Sequence, residues 1–180
     1  MLGSDDHYRD RKQSQVKHEI LRRYLESFAH IIGFHWPSIT YIDGFSGPWN
    51  SRSKDFTDTS FSIALNELRR AKEIHQSLRI RCVFVEKNAQ AYQLLESFCE
   101  SINDVEIKTF RCEFEQAIPE IVAFIKRDTD TFPFTLIDPT GYSGFAMKRI
   151  SPLLRLLPGE VLINFMMEFI RRSIEQVTCP

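Results

Sequence analysis

The residues of this chain best able to do chemistry are four carboxylates, each placed where an apolar segment ends or just beyond it. Asp43 ends Ser-Ile-Thr-Tyr-Ile-Asp at 38–43 and runs directly into Gly44-Phe45-Ser46-Gly47-Pro48. An acid closing a strand ahead of a glycine-bearing turn is how an open α/β sheet presents a nucleotide-like ligand at its carboxyl edge. The glycines permit close backbone approach and turns that other residues resist, although Asp-Gly also marks ordinary turns. Glu86 ends Ile-Arg-Cys-Val-Phe-Val-Glu at 80–86. A carboxylate there is placed to accept both hydroxyls of a ribose. Glu113 follows Arg111-Cys112 after a third apolar segment, and a helix N-cap or first-turn carboxylate explains it as well as a ligand does. Asp138 ends Phe-Pro-Phe-Thr-Leu-Ile-Asp at 132–138 and opens Asp-Pro-Thr-Gly-Tyr. Pro139 fixes the backbone after it and Gly141 permits a turn, so Asp138 and Tyr142 are expected at the sheet's edge. The carboxylate there can accept a proton or hydrogen bond from a substrate amine, and the ring can stack on a planar substrate. The bland alternative is a strand-to-helix turn whose tyrosine covers solvent.

Positioning these groups falls to an alternation of helices and strands. Over 14–32, Leu21, Leu25, Phe28 and Ile32 recur at helical spacing with Val16, Ile20 and Tyr24 alongside, which predicts a helix with a core-facing stripe that Gly33 ends. Pro37 then keeps the chain extended into the first strand. Asp58 or Thr59 is placed to cap a second helix, whose Phe61, Leu65, Leu68 and Ala71 share a face. Further helices are predicted around Tyr92, Leu95, Phe98 and Ile102, around Phe114, Ile118, Ile121 and Ile125, and over 148–157. Strands are predicted near residues 40, 83, 107, 135 and 163. Strands and helices alternating at this spacing imply right-handed crossovers and a parallel sheet covered on both faces.

Composition narrows the classes. A chain of 180 residues with 43% hydrophobic and 26% charged residues is ordinary for a globular domain with a real core. Residues 1–13 are polar and expected to be frayed, leaving 14–180 as one domain. The net charge of −1 gives no global basic field. No apolar run is long enough to span a bilayer and no signal-peptide pattern opens the chain, so a cytoplasmic, non-membrane protein is expected. Of the four cysteines, Cys82, Cys99 and Cys112 fall in apolar segments and Cys179 near the end. With no C-x-x-C pair, buried free thiols are expected rather than disulfides or zinc ligands. No metal-ligand spacing joins His7, His30, His35 and His75. Arg69-Arg70-Lys72, Lys148-Arg149 and Arg171-Arg172 read as exposed helix faces, and the fifteen phenylalanines as core. A nicotinamide-dependent dehydrogenase is disfavoured because only Gly44 and Gly47 stand where G-x-G-x-x-G is needed.

Taken together, these motifs resemble the class I S-adenosylmethionine-dependent methyltransferases, with Asp-Gly-Phe-Ser-Gly-Pro as the first motif, Glu86 as the ribose acid and Asp-Pro-Thr-Gly-Tyr in place of Asp-Pro-Pro-Tyr. More narrowly, Val16-Lys-His-Glu-Ile-Leu21, 41–48, 136–144 and Glu160-Val-Leu-Ile-Asn-Phe165 followed by Arg171 resemble the three-Cys-motif partner protein (TcmP) family over nearly the whole chain. Lys17-His18, otherwise a solvated helix face, also resembles bacterial adenine-N6 methyltransferases of ribosomal RNA. The resemblance implies a Rossmann-like doubly wound sheet and S-adenosylmethionine as cofactor. It implies that Asp43, Gly44, Phe45 and Gly47 hold the methionine part, with Lys17 near its carboxylate. Glu86 would hold the ribose, and Cys112 and Glu113 the adenine edge. Asp138, Pro139 and Tyr142 would face the acceptor, a nucleic-acid base amine being favoured. A three-Cys-motif protein is the implied partner. Class I enzymes usually finish with an antiparallel hairpin, whereas this sequence stops at Pro180, so either a shortened version or a fragment is expected. The competing expectation is a catalytically silent cofactor-binding module that docks a second protein.

Overall fold

The computed structural model describes residues 12–47, 51, 56–139 and 143–164. Helix α1 (Lys12–His35) is followed by four strand–helix steps and a last strand: β1 (Ser38–Asp43), α2 (Ser60–Ile74), β2 (Arg79–Val85), α3 (Ala89–Glu100), β3 (Glu106–Phe110), α4 (Phe114–Lys126), β4 (Thr131–Ile137), α5 (Met147–Leu154) and β5 (Glu160–Ile163). The strands form one sheet in the order β3-β2-β1-β4-β5, and every pairing is parallel. This is the Rossmann-like, doubly wound α/β arrangement. The chain moves outward from β1 to β3, then crosses back to β4 on the other side of β1. That reversal puts the topological switch point between β1 and β4, where an open sheet leaves a crevice at its carboxyl edge.

Side chains alternate across the strands, and the alternation sorts the core into two layers. Ile39, Tyr41, Ile80, Cys82, Phe84, Phe134 and Leu136 pack with α1, α2 and α3 through Leu21, Leu25, Phe28, Leu65, Leu68 and Leu95. Ile42, Val83, Val85 and Ile137 face the other way, against Phe114, Ile118, Ile121, Ile150 and Leu153 of α4 and α5. Phe61, Phe84, Phe114 and Phe134 are among the largest fully buried side chains, so much of the phenylalanine content fills these layers. Thr59 is the cap of α2, its hydroxyl accepting from the Ser62 N–H. Among the described residues, no helix is long and apolar enough to cross a membrane.

Three expectations about the helices change. Gly33 does not end α1, which continues to His35. A side chain at Gly33 would come within 3.1–3.2 Å of the His75 ring and Leu78, so the glycine allows close packing against the α2–β2 turn. Val16 and Ile20 lie on the outer face of α1, 58% and 60% exposed, while Leu21, Leu25 and Phe28 form its buried stripe. The last helix, expected over 148–157, stops at Leu154. Where a closing hairpin would follow β5 lies outside the described residues.

Candidate functional site

Asp43 ends β1 and is 1% exposed. One carboxylate oxygen accepts from the Phe45 N–H at 3.0 Å and the other from the Ser60 hydroxyl at 2.5 Å. The loop above it is sewn to both neighbouring strands. The Gly44 N–H bonds to the Leu136 carbonyl of β4, and the Ser46 N–H to the Val85 carbonyl of β2. Asp43 is therefore the bracket that joins the glycine loop to the start of α2. Burial pushes its carboxyl up to about 6, and the charge of Asp138 adds to the rise, while the Ser60, Phe45 and Ser46 hydrogen bonds oppose it.

The close approach at Gly44 is made to the protein itself. A Cβ there would stand 2.8–3.0 Å from the ring of Phe114, the buried first residue of α4. That ring cannot retreat without disturbing the α4 layer, so Gly44→Ala should cost about 1–3 kcal/mol. Thermal melts of Gly44→Ala and of Gly44→Ala/Phe114→Leu check this, because the smaller side chain should recover part of the loss through non-additivity.

Asp138 stands just past β4, on the other side of the switch point. The Lys17 ammonium of α1 donates to its Oδ1 at 2.7 Å, and the Asn164 amide, just past β5, donates to the same oxygen at 2.7 Å. The Lys17 and Asp138 side chains are 33% and 23% exposed. Lys17 lies one turn above Leu21 on the buried stripe of α1, so the stripe that packs this helix also aims the lysine at the sheet's edge. Asn164 was not assigned a role from sequence. Its place at the end of the fifth strand, in a fold whose ligands gather at strand ends, is the signal that could have found it.

Glu86 follows β2 and is 4% exposed, accepting from the Asn88 N–H at 2.6 Å. Asn88 also caps α3, so the Glu86 carboxylate and the helix start are tied together. Tyr41 adds a feature that pattern reading did not single out. Its hydroxyl is fully buried with no hydrogen-bond partner among the described residues. Burial raises its pKa well above the ordinary phenol value, and the charges of Asp43, Cys82 and Asp138 add to this. A buried polar atom without a partner is uncommon and calls for an explanation.

The remaining candidates are more scattered. Cys112 and Phe45 are half-buried against the α4 layer. Glu113 occupies the N-cap position of α4 but its side chain makes no capping bond, pairing instead with Lys87 at 3.3 Å. Gly47 is half-buried and Pro139 buried. Tyr142, Thr140 and Gly141 lie outside the described residues, as do Pro48, Arg171, Arg172 and Cys179. The structure thus brings Lys17, Asp43, Asp138 and Asn164 to the switch point and leaves Cys112 and Glu113 beyond β2, near the β3 edge. Arg69 and Arg70 are bound up in pairs with Asp104 and Glu67. Cys82 and Cys99 are buried thiols, burial raising both and holding Cys99 at about 12. A cavity of about 450 Å³ at the opposite edge is lined by Arg79, Arg81, Asp104, Glu106, Arg127 and Asp128. Its charges are taken up in ion pairs such as Arg81–Glu106 and Arg79–Asp128, which makes it a structural network. Comparison with protein-family models gives no match to this chain, and neither does comparison with curated proteins.

Proposed function

We propose that this chain is an S-adenosylmethionine-dependent methyltransferase of the class I, TcmP-like type, acting on an amino group such as that of a nucleic-acid base. The observation that carries the reading is the gathering of three carboxylates, Asp43, Glu86 and Asp138, at the carboxyl ends of adjacent strands around a switch point. A buried acid at the end of the second strand suits a ribose diol. The unpartnered Tyr41 hydroxyl, in electrostatic range of Asp43 and Asp138, suits a site that receives a further polar group. The residues present therefore fit the cofactor. When bound, S-adenosylmethionine supplies an activated methyl group.

The chain's own contribution is positioning. Asp43 braces the loop of Gly44, Phe45 and Gly47, which would hold the methionine part. Glu86 would hold the ribose, and Cys112 and Glu113 the adenine edge. Asp138 would accept a hydrogen bond from the acceptor amine, with Pro139 and Tyr142 beside it. Lys17 and Asn164 keep its carboxylate in one orientation by sharing Oδ1.

The deciding experiment is calorimetric titration of the full chain with S-adenosylmethionine. Micromolar binding is expected, with Glu86→Ala weakening it at least tenfold, since a lost pair of charge-assisted hydrogen bonds is worth about 1.5–3 kcal/mol each. No binding by a folded chain would overturn the reading in favour of a silent module that docks a second protein, a three-Cys-motif protein by the family resemblance. The observation favouring that second reading is an apolar patch where α1 and α2 end: Ile31, Phe34 and Ile74 are 61%, 74% and 67% exposed.

A further inference from the structure

An amine that docks on Asp138 meets a carboxylate already half engaged. Oδ1 takes both the Lys17 ammonium and the Asn164 amide, each at 2.7 Å. Oδ2 takes no hydrogen bond from any described residue, and the side chain is 23% exposed. Among the described residues, Oδ2 is therefore the face of the carboxylate left to a ligand, with a positive charge held just across the group. An ammonium has donors only, and Lys17 already offsets part of the attraction that Asp138 would offer to a second one. A neutral amino group also donates an N–H to Oδ2, but meets no charge repulsion in doing so. Discrimination built from repulsion of the wrong partner is a general route to specificity.

We propose that Lys17 is a specificity-determining residue: its ammonium, fixed on Asp138, restricts the docking group to a neutral amine, as on a planar ring, and turns away alkylammonium ions. The proposal rests on the reading that Asp138 faces the acceptor. It deepens that reading by excluding protonated lysine-like and polyamine-like acceptors. Asp43 carries a second negative charge nearby, but it is 1% exposed and both its oxygens are bonded internally, to Phe45 and Ser60. Its field matters once Lys17 is gone, because the charge that offsets Asp138 is then removed from a crevice bordered by two carboxylates.

Two probes of similar size and opposite character test this on the ligand-free full chain: aniline, neutral at pH 7.5, and benzylamine, which is protonated there. Ligand-observed NMR titration should show aniline binding on the order of tenfold more tightly than benzylammonium. Lys17→Met should reverse or erase that preference. Lys17→Arg, which keeps the charge, should retain it; a merely structural role for Lys17 would not sort the two variants by charge. Equal binding of both probes, tighter binding of benzylammonium by the wild type, binding of neither, or the same preference in Lys17→Met would each overturn the proposal. The test needs no cofactor, so a chain that binds S-adenosylmethionine yet fails it loses only this inference. Failure of the cofactor titration removes the underlying reading itself.

Discussion

Asp138→Ala is expected to abolish methyl transfer while leaving S-adenosylmethionine binding within about twofold of the wild type. A side chain that holds or relieves the acceptor's proton contributes about 10²–10⁴-fold to rate, and the loss should appear in kcat as well as in kcat/KM. Cofactor affinity is spared because Glu86 and the glycine loop, which would hold the cofactor, make no described hydrogen bond to Asp138. Folding is spared too. The Lys17–Asp138 pair is partly exposed at both partners, and such pairs contribute about 0–1 kcal/mol. Paired measurements of cofactor binding and turnover on one preparation check the point. A purified Asp138→Ala protein that still methylates would show that another group engages the acceptor, and Asp138 would revert to a strand-end carboxylate tied to α1.

Much of this fold can be read from hydrophobic periodicity, for a physical reason visible in single strands. Cys82-Val83-Phe84-Val85 is apolar at every position because both faces are covered, Cys82 and Phe84 by one helix layer, Val83 and Val85 by the other. A strand of that kind leaves little room for another reading. Helix ends are less legible. Gly33 looks like a stop because glycine is common there, but the tertiary contact with His75 and Leu78 makes the same residue an interior one. Val16 and Ile20 look like core because they are apolar, yet among the described residues no element covers the face they occupy.

The site divides along the same line. Acids at strand ends are marked by sequence, since an apolar strand terminating in a carboxylate is unusual in local terms alone. What sequence does not carry is pairing across the sheet. Lys17 and Asp138 are 121 positions apart, and Asn164 lies 26 beyond Asp138. The resemblance implies a place for Lys17 near a cofactor carboxylate, and in the structure its ammonium donates to Asp138. Tyr41 is the converse case. It reads as one more aromatic core residue, and its ring does stack on Phe134 with centroids 5.8 Å apart. Its hydroxyl nevertheless has no hydrogen-bond partner among the described residues.

Asp43→Asn should stabilise the protein above pH 6, by up to about 3 kcal/mol. The folded-state carboxyl is raised from 3.8 to about 6, chiefly by burial, and about two units at 1.36 kcal/mol each give that figure. A raised carboxyl binds its proton more tightly in the folded state than in the unfolded one. Between about pH 4 and pH 6 the folded chain therefore retains a proton that the unfolded chain has lost, and stability falls as pH rises through that window. Above it the full cost of a buried anion is present. Asparagine carries no charge yet keeps both contacts, its oxygen accepting from the Phe45 N–H and its amide donating to the Ser60 hydroxyl. Denaturant titrations at pH 4, 6 and 8 should show wild type and variant converging at the acid end and parting at the basic end. A gap that does not widen with pH would mean that Asp43 is well solvated or compensated, and the burial argument would fail. If the gap appears, the chain keeps a charge at the end of β1 at a cost in stability that a neutral isostere of the same shape would avoid. Carboxylates retained on those terms are characteristic of sites whose electrostatics serve a ligand. Asp43 is then part of the crevice's field as well as the bracket of its loop, and Asp43→Asn should weaken S-adenosylmethionine binding even as it raises Tm.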